Sequence, residues 1–125
     1  MANSDVDIKI AEEDIVTYKC LAPSTEEEGA FFPPPFGKRI TIGETYAIHG
    51  LNYNDHYREY IDTSNLLISS PSLDATIKNM EFWHGELVIV TCIIPKNTEY
   101  YTFIDRLGDK SYSSKSLKFV KIFNT

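Results

Sequence analysis

The segment from Leu87 to Ile94, with the sequence LVIVTCII, constrains the fold more than any other part of the chain. It is apolar on both sides except for Thr91, whereas a strand with one solvated face alternates apolar and polar residues. The run is also far shorter than the roughly 18 apolar residues that a membrane helix requires. We therefore expect a central strand that is covered on both faces.

Other segments have the period-two pattern of half-buried strands. We expect a first strand at about residues 14–21 (DIVTYKCL), a second in GKRITIGETYAIHG with a bend at Gly43, and a closing strand in SYSSKSLKFVKIF. Pro95 should end regular pairing after the central strand. We predict a long loop at residues 22–38, because a polar turn-forming segment leads into three consecutive prolines.

One helix is predicted at about residues 72–80. Ser72 is placed to cap it and Asp74 lies in its first turn, where a carboxylate is favourable. Leu73, Ile77 and Met80 recur with helical spacing and predict an apolar stripe that packs on the sheet.

The chain length of 125 residues suits one domain, and 42% apolar residues are enough for a packed core. Residues 1–13 are polar and predict a flexible acidic leader, followed by a single globular domain at residues 14–125. The predicted class is α+β, with four to five mostly antiparallel strands and one short helix packed on the sheet.

Charge is distributed unevenly. Residues 1–30 contain eight acidic residues and two lysines, which accounts for the whole net charge of −6. A locally basic stretch lies near the other end: Arg106, Lys110, Lys115, Lys118 and Lys121, against Asp109. Nucleic-acid binding normally requires a basic face on a basic domain, so this balance argues against it.

The sequence contains none of the familiar catalytic strings for phosphate binding, metalloproteases, serine hydrolases or dithiol redox sites. Cys20 and Cys92 each lie in a predicted strand, where a thiol usually behaves as a small buried hydrophobe. No cofactor and no metal site are predicted. With no secretion signal or membrane span in view, we expect a cytoplasmic protein that does not bind membranes.

Three phenylalanines surround the prolines in FFPPPFG: Phe31, Phe32 and Phe36. One interpretation is a partner-binding loop, because proline-rich segments dock into aromatic grooves. The other is a stiff surface loop whose phenylalanines pack back onto the core, and we favour the latter.

The order of DIVTYKCL, SSPSLDATIKN, CIIPKNTEYY and SYSSKSLKFV resembles a group of small uncharacterised proteins of Bacteroidetes and their phages and prophages. The similarity covers most of residues 13–122 and departs from the group at residues 50–66. Asn97 stands where the group usually has glycine. The resemblance implies a genetic setting and no activity.

A fainter likeness is to a degenerate ADP-ribosyltransferase-like fold. It rests on Lys19 in the first strand, on Ser69 and Ser70 before the helix, and on Glu99 as the nearest late acid. That likeness implies a nucleotide-binding site at these four residues, without the glutamate on the last strand that transfer chemistry needs.

Our preferred interpretation is a non-enzymatic interaction or accessory protein of phage or prophage origin. It would act as a host-interaction factor or a minor virion component, with another protein, itself or virion proteins as partner. The degenerate transferase-like domain is the alternative.

Overall fold

The computed structural model describes residues 8–32, 39–47, 67–81, 85–105 and 107–123. These residues form ten strands and one helix. In chain order the strands are β1 (Lys9–Ile10), β2 (Ile15–Pro23), β3 (Ala30–Phe32), β4 (Ile40–Thr41), β5 (Thr45–Ala47), β6 (Ile68–Ser69), β7 (Val88–Ile94), β8 (Glu99–Ile104), β9 (Lys110–Ser114) and β10 (Ser116–Ile122). The helix, α1 (Leu73–Met80), lies between β6 and β7.

All strand pairs are antiparallel and belong to two sheets. The larger sheet has the order β4-β3-β2-β7-β10-β5, and the smaller has the order β1-β8-β9-β6. The α+β class with one short helix is therefore confirmed for the described residues. The expected four to five strands are too few. The predicted closing strand is divided between β9 and β10, and β1 and β3 lie in segments predicted to be a leader and a loop.

The central position of β7 was predicted correctly, but its second face is only partly covered, since Thr91 and Ile93 are partly exposed. β7 lies between β2 and β10, and its pairing with β2 runs without interruption from Ile15 opposite Ile94 to Leu21 opposite Val88. Val90, Cys92 and Ile94 are fully buried. Pro95 follows directly and ends the pairing, as expected.

The larger sheet curls back on itself. β4 and β5 lie at its opposite ends, and three residues separate them in the chain. Four extended residue steps reach about 14 Å, whereas a flat six-stranded sheet is about 24 Å across. Gly43 makes the connection with φ at +99°, and its N–H donates to the carbonyl of Phe119 at 2.6 Å. The single strand expected here is therefore two strands, joined by a turn at the expected bend.

Two connections fix the smaller sheet to the larger. The chain passes from β9 into β10 through Lys115, whose N–H donates to the carbonyl of Glu99 at 3.0 Å. Tyr18 of β2 and Ser70, just after β6, exchange two backbone hydrogen bonds of 2.8 and 2.9 Å. The buried core contains residues of β2, β3, β4, β7 and β10 together with Ala11 and Leu67.

The helix is capped as predicted, because the Ser72 hydroxyl accepts the N–H of Ala75 at 3.1 Å. It packs against β2. Its buried residues are Ala75 and Thr76, while Ile77 is 42% exposed. The expected stripe is therefore wrong at Ile77, since small side chains let the helix lie closer to the strand.

The expected leader overlaps the fold. β1 pairs with β8, and Ala11 is buried in the core, with its N–H donating to the carbonyl of Thr98 at 2.9 Å. Residues 8–13 are thus part of the structure, while residues 1–7 lie outside the described residues. The long loop expected at residues 22–38 also contains structure, because β3 pairs with the end of β2.

The turn between β7 and β8 imposes a backbone requirement at one residue. The N–H of Thr98 donates to the carbonyl of Pro95 at 3.1 Å, and Asn97 has φ at +75°. Glycine adopts this conformation without steric cost, and asparagine tolerates it better than most residues.

Replacing Asn97 therefore tests this turn. We expect Asn97→Gly to leave the free energy of unfolding unchanged or slightly raised, and Asn97→Val to lower it by about 1–2 kcal/mol, because a β-branched residue is strained at positive φ. Urea unfolding of the two variants measures the difference. Equal stability of both variants would contradict the assigned turn.

Candidate functional site

Lys19 points into the interior of the protein. Along β2, the buried residues Thr17, Lys19 and Leu21 alternate with more exposed neighbours, as period-two geometry requires. Lys19 is only 9% exposed, and its ammonium donates to the carbonyl of Ile68 at 2.8 Å. This side chain therefore connects β2 of the larger sheet with β6 of the smaller one.

Ser69 and Ser70 lie beside Lys19. The antiparallel pairing of Tyr18 with Ser70 places Ser69 opposite Lys19 in register. Both serines are at most 7% exposed. The Ser70 hydroxyl accepts the N–H of Ser72 at 3.1 Å, which fixes the entry into α1. The structure thus brings three of the four proposed ligand-binding residues together.

Glu99, the fourth, lies elsewhere. It is the first residue of β8, and β9 separates β8 from β6 in the sheet. Its carboxylate is 3.8 Å from the ammonium of Lys115, and its side chain is about half exposed. Glu99 is therefore an ion-pairing residue at the bend between β9 and β10, two strands away from β6.

Burial dominates the electrostatics around Lys19. Desolvation lowers the pKa of Lys19 from 10.5 to about 8, because a charged ammonium loses its hydration inside the protein. The same effect raises the pKa of Cys92 to about 12 and raises that of Cys20. Both thiols are therefore protonated at neutral pH, and neither has the thiolate character of a reactive cysteine.

Few of the groups around Lys19 are available to a ligand. Ser70 is occupied at the helix entry, and the Ser114 hydroxyl donates to the carbonyl of Leu67 at 3.4 Å. The hydroxyls of Thr17 and Ser69 are buried without a hydrogen-bond partner in the structure. The interior around Lys19 is thus polar and closed to bulky ligands, and it mainly joins the two sheets.

The three phenylalanines of the proline-rich segment differ in their placement. Phe31 is 8% exposed and belongs to the core. Phe32 is partly exposed and pairs with Ala22 at the end of β2. Phe36 and the three prolines lie outside the described residues. Packing back onto the core therefore holds for Phe31.

A surface cleft near the N-terminal strands of the fold was not predicted from the sequence. It is an open depression of about 600 Å³ between β1 and the first residues of β2. Its lining consists of Lys9, Ile10, Glu12, Glu13, Asp14, Ile15, Val16 and Tyr100. The cleft thus combines aliphatic side chains with three consecutive carboxylates on the connecting bend.

The aliphatic side chains at this cleft are unusually exposed for a folded protein. Ile10 is 59% exposed, Val16 is 51% exposed, and neighbouring Ile8 is 47% exposed. Scattered apolar surface residues need no explanation, but clustered ones mark interaction sites. The alternation of Ile8 and Ile10 with Asp7 and Lys9 is the period-two signal that could have identified β1 from the sequence.

The carboxylates at the cleft have different roles. Asp14 accepts the N–H of Lys96 at 2.9 Å and so supports the turn between β7 and β8. Glu12 and Glu13 are exposed, and they form no ion pair within the part of the chain that the structure describes. The cleft therefore has an exposed acidic rim.

Comparison of the chain with family models, with curated proteins and with solved structures finds no match. Within the described ranges, no cluster of three or more potential metal ligands occurs. No helix in those ranges is long and apolar enough to cross a membrane.

The buried ammonium of Lys19 predicts a measurable effect on stability. Because its pKa falls from 10.5 to about 8 on folding, the unfolded chain holds the proton more tightly. Folding is penalised by about 3 kcal/mol below pH 8, and the penalty disappears as the pH rises towards 10.5. Lys19→Met removes this penalty and also loses the hydrogen bond to Ile68, worth about 1 kcal/mol.

We therefore expect Lys19→Met to raise the free energy of unfolding at pH 7 by about 2 kcal/mol, with the gain shrinking as the pH approaches 10. Urea unfolding at several pH values measures it. Because Cys20 and Cys92 titrate in the alkaline range in both proteins, the comparison uses the difference between variant and parent. Lys118→Met, at an exposed position, is the control. A loss of stability at every pH would contradict the prediction.

Proposed function

We propose that the protein is a non-enzymatic protein-binding domain and that the cleft between β1 and β2 is its binding surface. The observation that carries the proposal is the pair of exposed aliphatic side chains, Ile10 and Val16, that line an open cleft with an acidic rim, with Ile8 also exposed two residues before Ile10. Burial of such side chains against a partner supplies the main driving force for association. A closed hydrophobic pocket is not needed for this function.

The resemblance of CIIPKNTEYY and SYSSKSLKFV to small phage and prophage proteins supports an accessory role in that setting. The partner is then a host protein or a component of the virion. The acidic charge concentrated in residues 1–30 favours a partner with a basic surface.

The geometry around Lys19 gives little support to the nucleotide-binding alternative. A dinucleotide needs an open site with donors aimed at its phosphates. Lys19 donates to a carbonyl in the interior, and Ser69 is 3% exposed. The Glu99 carboxylate instead lies 3.8 Å from the ammonium of Lys115, at the bend between β9 and β10.

Affinity capture from phage-infected host cells tests the proposed function. We expect one protein to copurify stoichiometrically with the tagged chain. Ile10→Asp combined with Val16→Asp should abolish its recovery, because both changes place a charge in the apolar surface. Ile104→Asp is the matched control, since Ile104 is 67% exposed and lies outside the cleft.

Two results would contradict this function. One is recovery of the same protein with the cleft double variant, and the other is absence of any copurifying protein with the parent chain. A thermal shift with nicotinamide nucleotides that disappears in Lys19→Met would instead support the alternative.

A further inference from the structure

The free edge of β1 offers backbone hydrogen bonds to a partner. β1 is the last strand of the smaller sheet and pairs only with β8 among the described strands. Ala11 donates its N–H to the carbonyl of Thr98, the residue just before β8. Because backbone groups in a strand point alternately to its two edges, Lys9 also faces β8, while Ile8 and Ile10 present their N–H and C=O to the open edge.

The side chains at this edge suit an extended apolar segment. Ile10 of β1 and Ile8, the residue directly before β1, lie on the same side of the chain if the extended backbone continues to Ile8, because alternate residues of a strand share a face. Both are about half exposed. An exposed edge with aliphatic side chains is normally blocked by lysines, prolines or a covering element, because it pairs readily with another strand. Lys9 is the one positive charge on β1.

The charge beside the edge selects among occupants. Residues 5–14 contain five acidic residues and one lysine. A second copy of this chain, paired through its own β1, would bring two such acidic segments together, and like charges on facing strands destabilise their pairing. A segment with lysine or arginine beside its apolar residues would instead be attracted to Glu12 and Glu13.

Resting on the proposed protein-binding function, we propose that an extended segment of the partner, alternating apolar and basic residues, adds as a strand to the free edge of β1. The backbone of this segment forms hydrogen bonds with the backbone of Ile8 and Ile10. Its apolar side chains cover the exposed aliphatic surface, and its basic side chains lie at the acidic rim. This is recognition by β-strand addition, in which backbone bonds give affinity and alternate side chains give specificity.

A synthetic peptide tests the proposal without knowledge of the partner. The probe is a fluorescein-labelled peptide of about eight alternating valines and lysines, and the comparison peptide has glutamate in place of lysine. We expect fluorescence anisotropy to show at least about tenfold tighter binding of the basic peptide, with the preference falling as salt is added.

Two variants at one position separate backbone from side-chain recognition. Ile10→Ala and Ile10→Pro both remove the aliphatic side chain, but only proline also removes the N–H at the open edge. We expect Ile10→Pro to bind the basic peptide about 3- to 10-fold more weakly than Ile10→Ala, as loss of one hydrogen bond implies. Circular dichroism and the melting temperature verify that both variants are folded.

Charge reversal tests the acidic rim. Glu12→Lys with Glu13→Lys should remove the preference for the basic peptide, whereas Glu26→Lys with Glu28→Lys makes the same change in net charge at exposed positions outside the cleft. The control pair should retain most of the preference, since screening limits interactions beyond about 10 Å.

Equal binding of both peptides, or equal binding by Ile10→Pro and Ile10→Ala, would overturn strand addition. A dimer in sedimentation analysis that dissociates in Ile10→Pro would identify a second copy as the occupant and would also overturn it. If a partner is still captured through the cleft while these tests fail, the protein-binding function stands and the mode of binding is wrong. If the peptide tests succeed while no partner is captured, strand addition at β1 stands and the proposed capture of a host or virion protein is wrong.

Discussion

The closure of the larger sheet is the constraint on which the rest of the structure depends. With only three residues between β4 and β5, the sheet must curl until its first and last strands lie within reach of that connection, about 14 Å. The backbone bonds of Gly43 and Glu44 to Phe119 hold this closure. Curling places one face of every strand inside, which explains why Leu21, Ile40 and Phe119 reach full burial in a chain of modest size. The smaller sheet can then attach at the side through β2 and the β9–β10 bend.

This architecture also explains why polar side chains occur inside. The face of β2 that carries Thr17, Lys19 and Leu21 is directed inwards along its whole length, because a strand cannot turn one residue out without a bulge. At Lys19 the inner face meets the junction with β6, where the backbone pairing is reduced to the bridge between Tyr18 and Ser70. The long side chain spans that junction and donates to a carbonyl of the other sheet. At neutral pH, desolvation of the ammonium costs more than this hydrogen bond contributes.

Sequence patterns predicted the elements in which the local preference of the residues for a helix or a strand agrees with their burial in the fold. The run Val88–Ile94 is apolar on both sides and is central, and Ser72 caps the helix where its hydroxyl can accept a backbone N–H. β3 and β6 were not predicted, because they contain only three and two residues, too few for a period to emerge. β8 is not predicted from the sequence, because Pro95 is expected to end regular pairing. The pairing of β7 does end there, but after a tight turn through Asn97 the chain forms β8, which pairs with β9 in the smaller sheet.

The candidate site was missed for a different physical reason. Lys19, Ser69 and Ser70 are predicted as a ligand-binding site because their side chains can bind phosphate, and the structure places them next to one another. Their burial, however, makes them a junction between sheets. The cleft depends on how β1 and β2 diverge after a bend, which no pattern of residue types determines. Its exposed aliphatic residues gain little from the fold itself, since Ile8, Ile10 and Val16 leave about half of their surface in water. A partner strand would bury that surface and satisfy the open backbone groups of β1 in the same step, so the two features together favour association at this edge more than either does alone.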